Sequence, residues 1–407
     1  MEPKIAYRTL VIVRPFNKIY KTPKRKRQLQ PLSEEDVVQL MILQSRWRQI
    51  VNDILTRCNS NSNTNIRCII ESLKNVRERP YVKPARKLIL LDWIPEKIKR
   101  KWKAPMWLDA NTKDNSEIYL DLERKRIAIR IPTLPYTYIF QLNKKEIEWI
   151  QKRFEEGAEF THVASLWIDP ERRRLNIALP FRRKPTLLAP KRLLVVDVNA
   201  VHNGLAYAVM EKDKVLERSV LRPPLSALGL LHAKTRRLDR ICSKEGRLCE
   251  KRKMARSKFY RILREFEKNA VKRLIELALQ YKAAVVVDTP IWESLKELKE
   301  RGNLGVKKQF LNVGKFLRRL GGLAEWYGVP YVEERLFSTY CPRCNTKLKE
   351  LNGRKMYCPI CGLMEERDRI PLLWAQRRYT ELMARVSISS PSQPPSFSSA
   401  LAYVTLL

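Results

Sequence analysis

The sequence predicts an α/β protein in two parts: a barrel-like β unit that carries a helical insertion, then a unit of buried strands and long helices with a four-cysteine ribbon set into it. Three observations predict it. Residues 115–182 hold short alternating strands (EIYLDL, RIAIRI, THVASLWI, RLNIALPF). Farther on, two apolar strands, RLLVVDV and AAVVVD, each end in an aspartate and are separated by a long basic helical stretch. Near the C-terminus, C-P-R-C and C-P-I-C-G stand thirteen residues apart.

Taken in order, IAYRTLVIVR at 5–14 reads as a strand, and Lys21, Lys24, Arg25, Lys26 and Arg27 form a basic run too dense to bury, expected to be a phosphate-facing loop. Ser33 and Asp36 resemble a capping box. Val37, Leu40, Met41, Trp47, Ile50, Val51 and Ile54 keep helical spacing up to the NSNSNTN loop at 59–65, and a second helix is expected over about 66–77. The strands of 115–182 enclose one expected helix at 144–155, so the helical segment reads as an insertion into a single β domain. RKPTLLAP at 183–190 is a linker. Beyond it, RLLVVDV ends in Asp197, NGLAYAVME and KVLERSVL form a hairpin about Lys212-Asp213, and the helical stretch 233–282 leads into AAVVVD, ending in Asp288. ERDRIPLLWAQRRYTEL predicts a helix starting near Asp368, and the uncharged residues 386–407 read as a disordered tail.

At 407 residues the chain has room for two to four domains, and 44% apolar with 9% aromatic residues suffices for a sizeable core. Lysine and arginine number 81 against 43 acidic residues, a net charge of +38 that calls for a polyanionic partner. Neither a membrane-spanning apolar run nor the h-region of a signal peptide is present, so the expectation is a cytoplasmic protein without a membrane partner. An acidic small-molecule enzyme, a lipid-anchored protein and a secreted disulfide scaffold are set aside on these grounds.

Cys341, Cys344, Cys358 and Cys361 read as a zinc ribbon: each C-x-x-C knuckle turns two thiolates toward one point, and a hairpin turning at Asn352-Gly353 brings the knuckles together. A redox dithiol and a pair of disulfides are the alternatives. Cys58, Cys68, Cys242 and Cys249 read as ordinary thiols. Asp197, Asp288 and Asp368, each at the end of an element, are candidates for a divalent-metal site, since clustered carboxylates hold hard cations and two such ions suit phosphodiester hydrolysis. Aspartates at strand ends also serve as caps or solvated termini. The three histidines, His162, His202 and His232, lie in no nucleophile or zinc-hydrolase motif, although His202 is close in sequence to Asp197. No phosphate-binding glycine loop of the ATP-using kind occurs.

In these motifs the chain resembles TnpB, the OrfB protein of insertion-sequence transposons, which is similar to the compact type V CRISPR effector nucleases. The resemblance covers roughly 190–380 and rests, in the family's order, on VVDVNAVHNGLAYAV, VVVDTP, the FSTYCPRC…CPICG ribbon and ERDRIPLLWAQ. It implies an RNA-guided DNA endonuclease with an RNase H-like RuvC fold. Asp197, Asp288 and Asp368 would be the catalytic, magnesium-binding carboxylates, the four clustered cysteines would hold structural zinc, and the partners would be a guide RNA from the transposon end and double-stranded target DNA. It also implies an oligonucleotide-binding-like β-barrel wedge domain at 1–30 and 111–185, a helical recognition insertion at 31–110, the RuvC-like domain at 190–337, the ribbon at 338–364 and the third-motif helix at 365–385. Two departures stand out. Where the family carries glutamate, Asp288 is one methylene shorter, about 1.5 Å of reach, and Glu293 reads either as a surface carboxylate or as a substitute ligand. Where the family continues Asp-x-Asn-Ala, Arg369, Ile370 and Pro371 follow Asp368.

The basic clusters at 24–27, at 97–103 (with Lys99, Arg100 and Lys101) and at 234–256 are the expected nucleic-acid contacts, with Trp102 available for base stacking and Trp93 and Trp107 read more as core. The competing readings are a guided DNA-binding protein whose nuclease site is inactive, and a basic zinc-ribbon RNA-binding protein without a DNA target.

Overall fold

The structure is a computed structural model that describes residues 5–23, 28–60, 63–64, 106–112, 116–131, 134–161, 163–199, 203–245, 249–288, 313–351 and 354–388. The chain divides into two compact units, Ile5–Lys184 and Pro185–Gln393.

The first unit contains β1 (Ala6–Pro15), β2 (Tyr20–Pro23), β3 (Gln30–Pro31), α1 (Glu34–Cys58), β4 (Asn59–Ser60), β5 (Asn63–Thr64), β6 (Met106–Asn111), β7 (Ile118–Asp121), β8 (Arg126–Arg130), β9 (Tyr136–Gln141), α2 (Lys144–Glu155), β10 (Glu159–Phe160), β11 (Val163–Asp169) and β12 (Arg174–Arg183). One sheet runs β1-β12-β11-β6-β7-β8-β9-β2-β3, with β10 also on β12 and only β6–β7 parallel. The early strand thus pairs with the late one, from Ala6 opposite Arg183 to Pro15 opposite Arg174. The period-two pattern explains why. Leu175, Ile177, Leu179 and Phe181 of β12 are all buried, and Trp149, Phe154 and Phe160 meet the Phe181 ring at 5.2–5.6 Å between centroids.

Both helices among the described residues of this unit begin at capping boxes. Ser33 and Asp36 exchange hydrogen bonds at the start of α1, and Asn143 and Glu146 do so at α2. The buried Gln44 side chain then locks α1 onto β11 by accepting from Ile168 N–H (2.7 Å) and donating to Ile168 C=O (3.3 Å). The stretch 31–110, read from sequence as a helical insertion, is not wholly helical: besides α1 it holds Pro31 of β3, the β4–β5 pair, and most of β6, which joins the main sheet. Met106, Leu108 and Ala110 alternate inward along β6, a period too short to stand out beside the basic run before it. The helix expected at 66–77 and Trp93 lie outside the described residues.

The second unit contains β13 (Arg192–Val198), β14 (Leu205–Glu211), β15 (Lys214–Leu221), α3 (Leu225–Glu245), α4 (Cys249–Gln280), β16 (Ala283–Asp288), α5 (Val313–Tyr327), β17 (Tyr331–Glu334), β18 (Lys349–Glu350), β19 (Lys355–Tyr357), β20 (Met364–Glu366), α6 (Ile370–Arg377) and α7 (Tyr379–Ile388). Its sheet runs β15-β14-β13-β16-β17: β14 is antiparallel to both neighbours, whereas β13–β16 and β16–β17 are parallel. Lys212, with φ of 50°, makes the tight β14–β15 turn. Alternate strand residues feed two cores. Leu194, Val196, Val285 and Val287 pack against α4 and α5; Leu193, Val195, Ala284 and Val286 pack against α6, α7 and the ribbon.

The helical stretch read at 233–282 is two helices, α3 and α4, and it begins earlier, at Leu225. Helix α6 carries Pro371 in its first turn, where the lost N–H costs nothing. Two boundaries move. The ribbon extends past 364, because Met364–Glu366 pairs with Lys355–Tyr357. The tail read as disordered from 386 begins with helix, because Val386 follows Leu382 at i+4 on the buried face of α7; residues 389–407 lie outside the described residues. Among the described residues no helix is long and apolar enough to cross a membrane.

Gly328, with φ of +67°, closes α5 at a point where an added Cβ would sit 2.1 Å from the Thr186 carbonyl oxygen, whereas at Gly157 (φ +73°) it would meet nothing within 4 Å. Gly157→Ala should therefore cost only ~1 kcal/mol, and Gly328→Ala several times that, because its backbone must also move. Thermal unfolding of the two variants checks the contrast; equal losses would refute it.

Candidate functional site

The parallel pairing of β13 and β16 builds the site. Val196 lies opposite Val287, so the next residue on each strand, Asp197 and Asp288, falls at neighbouring C-terminal strand ends with side chains on one face. That face is covered by α6, α7 and the ribbon. Asp197 is buried and Asp288 half-buried, and the two carboxyl groups lie close enough for Asp197 to act on Asp288. Asn199 Nδ2 donates to Asp197 Oδ2 (2.7 Å), and the Leu336 backbone N–H donates to Asp288 Oδ1 (2.7 Å). Asp368, in the 3-10 turn Arg367–Arg369 just before α6, is close enough for its charge to act on Asp197. The fold thus sets Asp197 and Asp288 side by side with Asp368 near Asp197, but the three do not gather as closely as the ligands of one metal ion.

Burial raises the pKa of Asp197 to about 7, against the pull of Asn199 and with the Asp368 charge adding to the rise. Asp288 is raised to about 8, again by burial first and by the Asp197 charge second. The two titrate as a pair that holds a proton between them near neutrality. A divalent cation would replace that proton and remove the repulsion, so these two residues fit a metal ion. Asp368 is differently placed, because Arg354 of the ribbon forms an ion pair with it. A metal ligand at Asp368 would have to exchange that guanidinium for the cation.

The four clustered cysteines bring their sulfurs within 4.8 Å of one another, the one group among the described residues that gathers three or more metal-ligating atoms so tightly. Cross-knuckle separations are 3.5 Å for Cys341–Cys361 and 3.3 Å for Cys344–Cys358, close to the ~3.8 Å edge of a tetrahedron with 2.3 Å zinc–sulfur bonds. None is in a disulfide. The knuckles match: Asn345 N–H bonds to Cys341 C=O and Gly362 N–H to Cys358 C=O, and Asn345 and Gly362 both have positive φ. Hydrogen bonding from Thr346 lowers the Cys344 thiol to about 6, whereas Cys361, against the pull of the Leu363 amide, is raised to about 11 by burial and the neighbouring sulfurs, crowding that a bound cation would relieve. Cys341 and Cys358 are buried in the core with Leu348, Met356, Ile370 and Trp374. Trp374 Nε1 and Arg377 Nη1 then fasten α6 to the ribbon carbonyls of Tyr340 (2.8 Å) and Pro342 (2.7 Å).

Four participants were missed in the sequence. Asn199 was findable, because it stands two residues after Asp197 and shares its face. Arg354 and the Leu336 N–H reach the site only through the tertiary fold. Glu334 lies in register beside Asp288 on β17 but is taken by Arg378 (3.2 Å) and Arg385 (2.5 Å). Of the expected nucleic-acid contacts, Lys24, Arg25, Lys26, Arg27, Lys99, Arg100, Lys101 and Trp102 lie outside the described residues, as do Glu293, His162 and His202. The 234–256 cluster lies on α3 and α4, where Lys234, Arg236, Arg237, Arg240, Lys251, Lys253 and Arg256 are exposed.

No family model matches the chain, and no curated protein sequence does. A solved structure does: Cas12f1, determined by cryo-electron microscopy in a complex with sgRNA and target DNA, superposes with a TM-score of 0.58 at 10% identity, over 90% of this chain and 99% of that one. The fold is shared with Cas12f1. The motif-based resemblance to a TnpB-like protein, similar to the compact type V effectors, thus has a matching mixed α/β architecture. A CRISPR-Cas12f ternary complex (TM-score 0.32, 12% identity, 84% of this chain and 81% of that one) and the mini-RNA-guided endonuclease Cas_phi3 (0.38, 12%, 66% and 58%) align too loosely to add an argument.

Two predictions follow from the geometry. Because the folded-state pKa values of Asp197 and Asp288 lie above the ordinary carboxylate value, the folded chain holds a proton that the unfolded chain releases. In magnesium-free buffer stability should be greatest below about pH 4 as far as this pair is concerned, and its contribution should fall as pH rises to about 8. Asp288→Asn should flatten that fall and melt higher than the unsubstituted chain at pH 8; parallel pH profiles in calorimetry would contradict it. For the ribbon, elemental analysis should find one zinc per chain, lost in Cys358→Ser. The accompanying drop in melting temperature should be ~5 °C or more, at roughly 2–4 °C per kcal/mol for a unit of this size.

Proposed function

We propose that the chain is an RNA-guided DNA endonuclease of a transposable element, a magnesium-dependent hydrolase that cleaves phosphodiester bonds at a RuvC-like site. In this reading Pro185–Gln393 contains an RNase H-like domain, supported by the order β15-β14-β13-β16-β17 with its antiparallel first three strands and parallel remainder. Ile5–Lys184 is the wedge domain with its recognition insertion. Asp197, Asp288 and Asp368 are the metal-binding carboxylates, and Cys341, Cys344, Cys358 and Cys361 hold structural zinc. The observation that carries the proposal is the Asp197–Asp288 pair at adjacent parallel strand ends, on a fold shared with Cas12f1.

The chain's own residues would divide the work. Asp197, buried, and Asp288, half-buried beside it, would supply the oxygen ligands, in surroundings where electrostatic attraction for a cation exceeds that in open water. These carboxylates would hold a pair of magnesium ions, whose chemistry would be to activate a water and to stabilise the departing oxygen. The exposed lysines and arginines of α3 and α4, together with the 24–27 and 99–102 segments, would hold the phosphates of guide RNA and target DNA. Sequence choice would come from guide pairing, with the protein reading duplex shape and a short flanking motif.

A second reading, a guided DNA-binding protein with an inactive nuclease site, is favoured by the Arg354–Asp368 ion pair and by the shorter reach of Asp288. One experiment separates the two. The chain is co-expressed with its flanking genomic DNA, the copurifying RNA is sequenced, and the complex is offered a matched target with a randomised flank in Mg²⁺. Cleavage with an enriched flank, reduced at least ~100-fold by Asp197→Ala while target binding persists, is the expected result. Target binding without nicking by the unsubstituted chain would favour the second reading.

A further inference from the structure

The two carboxylates of the proposed metal site are oriented by different means. Asp288 is held by a backbone donor, the Leu336 N–H just past β17, at 2.7 Å. Its orientation is therefore set by the fold and survives most side-chain changes. Asp197 has no such backbone donor among the described contacts; Asn199 Nδ2, at 2.7 Å from Oδ2, does that work. The strand period explains the reach: Val198 turns into the opposite core, and Asn199, leaving β13, comes back to the face of Asp197.

The pattern of oxygens gives this bond a purpose. Asn199 occupies Oδ2 of Asp197 and Leu336 occupies Oδ1 of Asp288, each with a single N–H donor. The two aspartates stand at neighbouring strand ends, and the donors leave Oδ1 of Asp197 and Oδ2 of Asp288 for a cation. Loss of the Asn199 bond removes the donor that fixes the Asp197 carboxyl, while Asp288 keeps its own.

We propose that Asn199 is a positioning residue that holds Asp197 in the orientation a divalent cation requires, the side-chain counterpart of the Leu336 amide on Asp288. This rests on the reading of Asp197 and Asp288 as metal ligands. Donors behind a ligating carboxylate or imidazole commonly change metal affinity by 10- to 100-fold when removed. A role of this kind acts on ion binding, not on RNA binding or on folding as a whole.

The test is Mn²⁺ binding to the zinc-loaded chain, read from loss of the free-ion electron paramagnetic resonance signal. Three variants are compared with the unsubstituted chain: Asn199→Ala, Asn199→Ser, which keeps a short donor, and Asp197→Ala. The expected result is that Asp197→Ala abolishes the site, Asn199→Ala weakens Mn²⁺ binding by about 10- to 100-fold, and Asn199→Ser recovers part of the loss. In the two Asn199 variants copurifying RNA and the melting temperature measured without Mn²⁺ should stay those of the unsubstituted chain. Asp197→Ala abolishing binding while Asn199→Ala binds Mn²⁺ normally would overturn the positioning role and leave the metal site standing. Mn²⁺ binding unchanged by Asp197→Ala would overturn both. Equal weakening in Asn199→Ala and Asn199→Ser, together with a lower melting temperature in both, would reduce Asn199 to a structural residue and also overturn the proposal.

Discussion

Everything at the candidate site depends on the parallel, in-register pairing of β13 with β16. That pairing sets Asp197 beside Asp288 at strand ends whose preceding residues are wholly buried. Two like charges there repel, and burial removes the water that would screen them. The fold supports the arrangement because both faces of the sheet are covered, Val196 and Val287 on one side and Val195 and Val286 on the other. The apolar strands that make the sheet stable are also what makes its carboxylate edge electrostatically strained, and a cation is the simplest relief.

The ribbon is tied into the same arrangement. Its two buried cysteines share a core with Ile370, Trp374 and the sheet, and its carbonyls accept from Trp374 and Arg377 of α6. Asp368 sits at the start of that helix and pairs with Arg354 of the ribbon. Loss of the tetrahedral cluster would therefore loosen the support of the third carboxylate as well as the ribbon. A cluster of four cysteines in a chain of this size stabilises locally, yet its position makes the stabilisation felt at the sheet edge.

The sequence was legible where a local rule decides the outcome. The C-P-x-C spacing gave the knuckles, the Ser33/Asp36 pattern gave the start of α1, and the alternating apolar residues of β7, β8, β11 and β12 gave strands. It was less legible where two signals overlap. Strand β6 follows a basic run, and the apolar stripe of α7 runs past the last charged residue. In each case composition pointed to one description of a whole segment, whereas packing decides residue by residue.

By itself the sequence determined the ligand types, their order along the chain and the sign of the partner's charge: four thiols in two matched knuckles, three aspartates at element ends, and an excess of 38 positive charges. Only the tertiary structure decided that Asp197 and Asp288 stand at neighbouring strand ends, that Arg354 faces Asp368, that Glu334 beside Asp288 is spent on Arg378 and Arg385, and that Asn199 and the Leu336 amide hold the two central carboxylates. The physical reason is range. Spacing within a knuckle or a strand is set by a few bonds, but the meeting of residues 91 positions apart, from 197 to 288, depends on which strand ends the sheet brings together.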